Sequence, residues 1–457
     1  MVEDPGRYAS RRDFLRLTAG GAAVAALGGA CSSGSDKPKA GSTADSGSKG
    51  RETLRIVQWS HFVPAYDAWF DGEYITRWGE EHDVDVTVDH VPLEEQQGRA
   101  DAELATGRGH DIFGFTAPPP AYEDSAIDHR EIVEEVVGKL GPMTPLVERS
   151  VLNPKTGKYF GFPEYWAPMT VQYRLDLWSR VQSTPDSWED VLGAGAPLKG
   201  MGNPLGLGIS EDFDATASLL GLMHAYGASI QDEGGSIVVN RPATVEAVKM
   251  GAAIFKAGMT DEVLTWDAAS NNRFLAGGKG SLIFNPVSSL RAVEKQDPEL
   301  AKQIGLLAVP SGPAGRFGAH SVSGTYVIWK FSEVQDIAKQ FLVDLALNYR
   351  EAFVRSESYN LPAFPGSVPD LSTVLAADTT AQPAGKYAFL AGAAEWSTNL
   401  GHPGFTNAGV NDVANRFLIP RMFAAAARGE MSAEDAVKAA EAQITPLFDK
   451  WRAQGKI

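Results

Sequence analysis

The chain has 457 residues, 44% of them apolar, enough to bury a large core and more in keeping with two domains than one. Its formal net charge of −16 argues against a nucleic-acid partner, because phosphate backbones attract an excess of Lys and Arg. The single cysteine, Cys31, leaves no intramolecular disulfide and no Cys-based metal cluster.

The chain opens with Ser10-Arg11-Arg12-Asp13-Phe14-Leu15-Arg16 and an uncharged, Ala- and Gly-rich run from Leu17 to Ala30. Twin arginines before a weakly hydrophobic segment resemble a Tat signal. The run is too short and too rich in glycine to span a bilayer, which takes about 20 apolar residues. Leu27-Gly28-Gly29-Ala30-Cys31 resembles a lipobox, in which the cysteine is diacylated and becomes the mature N-terminus, although Leu27 stands one place further from the cysteine than usual. Residues 1–31 are therefore expected to be a Tat-type lipoprotein signal. Residues 32–52 hold no large apolar side chain and are expected to form a flexible tether of roughly 25 Å root-mean-square span. The expected location is the outer face of the cytoplasmic membrane, in the periplasm or cell envelope.

The body begins with an apolar strand, Leu54 to Trp59, and a helical stripe at Tyr66, Phe70, Tyr74 and Trp78. Alternation at Val84, Val86 and Val88 gives a second strand, Leu93, Gln97, Ala100 and Leu104 a second helix, and Asp111 to Phe115 a third strand. This order predicts a mostly parallel sheet covered on both faces, with ligands beyond the carboxyl ends of the strands. Trp59 to Phe62 and Phe115 to Pro118 are then rim positions.

Gly157 to Leu192 reads as a turn, an aromatic extended run and a helix starting near Thr184 and Pro185. Helices follow at about 215–226, 244–257 and 271–276, then strands at 281–284, 304–309 and 325–329. Ser332 and Gln335 are spaced as a capping box before a stripe that includes Val334, Phe341 and Leu345. The last helices are expected near 411–428 and 432–448.

Pro163, Tyr173, Pro185, Ser187, Trp188 and Glu189, with Leu93-Glu94-Glu95, Gly109, Asp111, Ile112 and Leu361-Pro362-Ala363, stand at the spacings of a known family. The chain resembles extracellular solute-binding protein family 1, the sugar-binding lipoproteins of ABC importers related to maltose-binding protein. The resemblance implies an α/β, two-lobed periplasmic-binding-protein (Venus flytrap) fold of type II, with discontinuous lobes joined by three crossings near Trp166, Val309 and Leu361. By it the N-terminal lobe is 53–165 plus 310–361 and the C-terminal lobe 166–309 plus 362–457. It implies no catalysis and no cofactor, a small-molecule solute, an ABC permease as partner, a lipid anchor in the membrane and a monomer.

A sugar ring offers an apolar CH face and a rim of hydroxyls, so it is held by stacking together with carboxylate and amide hydrogen bonds. The candidates are Trp59, Phe115, Trp166 and Trp266 for stacking, and Glu95, Asn285, Ser323 and Thr325 for hydroxyls, with His61 at the rim and Tyr165 at the first crossing. Phe115 stands where the family places a stacking tryptophan. Alternative ligands are glycerophosphodiesters, for which Arg174 and Arg291 are the nearest cations, and quaternary amines. An exported hydrolase is the alternative class. His61, His82, His90, His110 and His129 show no metal-ligand spacing, and no G-x-S-x-G, P-loop or dinucleotide fingerprint occurs.

Overall fold

The computed structural model describes residues 51–457, apart from Ser321 and the side chain of Val322. Arg11, Arg12, Cys31 and nearly all of the expected tether lie outside the described residues.

Strand β1 (Glu52–Trp59) runs parallel to β2 (Val84–Val91), from Glu52 opposite Val84 to Trp59 opposite Val91. The helical run between them is Pro64–Trp69, a π turn at Phe70–Tyr74, and Ile75–His82. A spacing of four drifts by about 40° per step on an α-helix. The wider π turn counteracts that drift, and Tyr66, Phe70, Tyr74 and Trp78 are all buried. Helix α1 (Gln96–Thr106) follows a 3₁₀ turn at Leu93–Glu95, and β3 (Ile112–Phe115) returns parallel to β1.

Strand β4 (Phe162–Ala167) is followed within two residues by β5 (Thr170–Arg174), and the two belong to different sheets. Helix α2 (Trp188–Gly200) starts later than expected: its cap is Ser187, in a reciprocal box with Asp190, and not Thr184. Then come β6 (Leu205–Gly206), α3 (Phe213–Ala225), α4 (Pro242–Gly258), β7 (Leu282–Asn285) and β8 (Ile304–Leu307). The chain re-enters the first sheet as β9 (Val322–Ile328), forms α5 (Gln335–Leu347), and adds the short edge strand β10 (Leu361–Pro362). The expected capping box does not form. Ser332 Oγ instead donates to Asp111 Oδ1 at 2.7 Å, and the Gln335 amide donates to Lys330 O at 3.1 Å.

The expected helix over 411–428 is two helices, α6 (Ala408–Asn415) and α7 (Leu418–Ala427), broken where Phe417 adopts a left-handed backbone with φ 53°. Helix α8 (Ala433–Ala453) closes the chain, capped by Ser432.

The large sheet has the order β10-β4-β9-β3-β1-β2 and the small one β8-β5-β7-β6. In the large sheet only β1 pairs in parallel with its neighbours, β2 and β3; β9 is antiparallel to β3 and β4, and β10 to β4, so the sheet is mixed. Two sheets, each with its own helices, make two α/β lobes, and the chain passes between them after β4, after β8 and after β10. Among the described residues no helix is long and apolar enough to cross a membrane.

Candidate functional site

A cleft of about 600 Å³ lies between the lobes, with one wall from each. On the large-sheet side the chain leaving β3 supplies Phe115 to Pro119, the following 3₁₀ turn supplies Tyr122, the 3₁₀ turn before α1 supplies Glu94, and α1 itself supplies Gln97 and Asp101. The other wall is built from Glu211 to Phe213 at the start of α3, Trp266 to Ala268, Asn411, Asp412 and Asn415 on α6, Phe417, and Lys450 with Trp451 on α8. Its position beyond the carboxyl end of β3 is where open α/β sheets hold ligands.

Each wall is fixed locally. The Gln96 side chain ties α1 to the end of β3, its Nε2 donating to Gly114 O at 3.0 Å and its Oε1 accepting from Thr116 Oγ1 at 2.7 Å. Opposite, Asp212 caps α3 by accepting from the Ala215 N–H at 2.9 Å. Trp451 Nε1 donates to Asp412 Oδ2 at 2.7 Å, which binds the end of α8 to α6. Phe213 and Phe417 meet edge to face, centroids 5.5 Å apart, so the left-handed break between α6 and α7 delivers a ring to the cleft. The walls touch where Asn411 Nδ2 donates to Pro118 O at 3.3 Å.

The cleft is rich in carboxylates. Glu211 takes two bonds from Arg421, both 2.9 Å, and Asp267 takes bonds of 2.8 and 3.0 Å from Arg273. Asp101 accepts from the Tyr122 hydroxyl at 2.7 Å. Burial, with the neighbouring Asp214 charge, pushes the Asp212 carboxyl up to about 6.

Of the residues expected from the sequence, Phe115 and Trp266 line the cleft. Asn285 lines a small recess adjoining it, with Phe62, Ser288 and Tyr359, and its Nδ2 donates to Asp214 at 3.2 Å and Asn272 at 2.7 Å. Trp59, Tyr165 and Thr325 face a minute recess behind Phe115, where Trp59 Nε1 donates to the Tyr165 hydroxyl at 3.0 Å. Trp166 and Ser323 are cross-strand partners in the buried interior of the large sheet and do not line the cleft. His61 is buried against Asn360. Glu95 is exposed and outside the cleft; its neighbour Glu94 lines it, because consecutive residues of a 3₁₀ turn diverge by roughly 120°. Sequence reasoning missed Tyr122, Asp212, Phe213, Phe417 and Trp451. An acid-aromatic-acid run at 212–214 is a capping signal that could have pointed to the start of α3. Trp451 carried no signal, since its stripe position reads as core.

The model of the family described as "Bacterial extracellular solute-binding protein" matches residues 63–356, more than half of the 457. The chain belongs to this family. The solute-binding protein is 24% identical over 210 residues to a curated binding protein of Brucella abortus, covering 44% of this chain and 50% of that one. It is 23% identical over 174 residues to a Deinococcus radiodurans protein named for binding to an ABC transporter, covering 36% and 41%. The chain thus spans half or less of the length of these curated relatives. Among solved structures, a maltose-bound protein of T. maritima superposes with a TM-score of 0.71 at 18% identity over 86% of this chain and 99% of its own. The GacH receptor of Streptomyces glaucescens, solved unliganded and with acarbose, gives 0.69 at 18% over 87% and 99%. An oligosaccharide periplasmic-binding protein of a Synechococcus gives 0.74 at 16% over 88% and 100%. These likenesses concern the fold: the solute-binding protein has the two-lobed type II architecture, and its family is one of exported proteins.

Proposed function

We propose that this protein is the substrate-binding component of an ABC importer, capturing a sugar or oligosaccharide between its lobes and delivering it to the permease without chemical change. The observation that carries the reading is a cleft with aromatic rings on both walls, Phe115 and Tyr122 facing Phe213, Trp266 and Phe417, interleaved with carboxylates and carboxamides. Rings suit the CH face of a sugar, and the polar groups suit its hydroxyls. Maltose and acarbose in structures of the same fold support it. The same reading takes residues 1–31 as a Tat lipoprotein signal, Cys31 as the lipid anchor, the two lobes as 53–165 plus 310–361 and 166–309 plus 362–457, and the protein as a monomer at the outer face of the cytoplasmic membrane.

The test is a thermal-shift screen across sugars, polyols, glycerophosphodiesters and betaines, followed by analysis of the recovered ligand. A ligand at 100 times its Kd adds about 2.7 kcal/mol. Stabilisation by saccharides recovered unaltered supports the reading. Stabilisation only by phosphodiesters or betaines refutes the sugar, and steady turnover of a saccharide refutes the binder in favour of a hydrolase.

A further inference from the structure

We propose that the cleft prefers amine-bearing saccharides to neutral ones and rejects anionic ones, through Glu94 and Asp101 on one wall and Asp212 on the other. This deepens the saccharide reading above and rests on it.

The inference starts from how the charges lining the cleft are balanced. Glu211 and Asp267 are neutralised by guanidinium groups, those of Arg421 and Arg273. Asp412 faces Lys450 Nζ at 3.5 Å, and Lys450 is the one cationic side chain among the described residues lining the cleft. Glu94, Asp101 and Asp212 remain, and among the described residues none of the three has a cationic partner. Asp101 gives one oxygen to the Tyr122 hydroxyl, and Asp212 accepts from the Ala215 N–H and the Ser210 hydroxyl. Hydrogen bonds from neutral groups hold these carboxylates in place without cancelling their charge.

The cations that could have served an anion are committed elsewhere. Arg174 makes a two-bond pair with Asp176, both contacts 2.8 Å. Arg291 is buried among Glu294, Asp378 and the ring of Tyr387, whose centroid is 3.7 Å from its guanidinium carbon. Neither lines the cleft.

In an open, wet cleft the residual negative field is screened. A solute that fills the space displaces water, and the same charges then act at a lower effective dielectric. An ammonium group gains there, and it gains again from the aromatic faces, which attract cations. A carboxylate or phosphate pays desolvation and finds only Lys450, already facing Asp412, to receive it. The carboxamides of Gln97 and Asn415 line the same space. They give hydroxyls their partners, which a saccharide uses and a bare quaternary ammonium does not.

The experiment is calorimetry on the full chain at neutral pH and low salt with four probes: glucosamine disaccharide, cellobiose, cellobiouronic acid and choline. The first three share one two-ring frame and differ in charge. The expected result is that the amine binds about tenfold more tightly than cellobiose and the acid about tenfold more weakly. Added salt should narrow both gaps. Asp212→Asn and Asp101→Asn should each cut the amine-to-neutral ratio to about threefold or less, and asparagine still caps α3 at the first position. Should Asp212→Asn fail to fold, the exposed Asp101→Asn carries the same test. Cellobiose bound as tightly as the amine overturns the charge preference and leaves the saccharide reading standing. Binding of choline with no disaccharide, or of none of the four, overturns both.

Discussion

His61 and Asn360 are hydrogen-bonded, Nε2 to Oδ1, at 3.1 Å, and the bond joins the end of β1 to the turn that leads into β10. The Val63 N–H donates to His61 Nδ1 at 2.9 Å, so Nδ1 is the acceptor and Nε2 carries the proton given to Asn360. Burial lowers the His61 pKa to about 4, which keeps this neutral form in place across the physiological range. Asn360→Ala should leave a buried N–H unpaired and cost about 1–3 kcal/mol, read by denaturant unfolding. The backbone of Asn360 keeps its bonds to Ser356 Oγ and the Tyr349 hydroxyl, both 3.1 Å, so the fold should survive the change.

Glu164 on β4 is a buried carboxyl held by the Tyr66 hydroxyl at 2.5 Å, and its burial pushes the pKa up to about 7. Between about 4.5 and 7 the folded state therefore holds a proton that the unfolded state has lost. Stability from this group is greatest in acid and falls as pH rises through that window. Relative to Glu164→Gln, the wild type should lose about 3 kcal/mol from pH 4.5 to 7. His129 has the opposite sign: burial lowers it to about 4, so its contribution is present above about 6.5 and is lost as pH falls towards 4. Unfolding free energies of the wild type, Glu164→Gln and His129→Gln across this range check the two signs.

Phe417 places a ring in the cleft from a left-handed backbone, a conformation that costs an L-residue about 1–2 kcal/mol and glycine almost nothing. Phe417→Gly should therefore relieve strain while removing the ring. Stability should change by no more than about 1 kcal/mol, while the affinity for the saccharide found by screening drops about tenfold. A large loss of unliganded stability would instead make Phe417 a packing residue.

With Cys31 as the lipid anchor proposed above, Cys31→Ser should move the protein from the membrane fraction to the soluble fraction. Lysine at Arg11 and Arg12 should separately block export. Fractionation of cells that express each variant reads both outcomes.

The fold was largely legible because its signals are local. The valine alternation of β2 and the aromatic stripe between Tyr66 and Trp78 depend only on period and burial. The site was less legible, because a cleft is made by residues far apart in sequence. Trp451 meets Asp412 through tertiary packing of α8 on α6, which no window of sequence contains. Trp166 carried every sequence sign of a ligand contact, an aromatic at a crossing beside a carboxylate. On β4 it lies between Ser323 of β9 and Leu361 of β10, and its ring is buried in the core. The helix break at Phe417 did carry a local sign: Pro420 stands in the first turn of α7, where its missing N–H suits a helix start, and the expected helix over 411–428 ran through it.

The most direct test of solute capture between the lobes is amide hydrogen exchange of the full chain with and without the saccharide identified by screening. Bound saccharide should slow exchange in peptides from both walls, at 115–122 and 211–213 and again at 266–268 and 411–417. Protection confined to one wall, or found elsewhere while binding is demonstrated by calorimetry, would contradict the account.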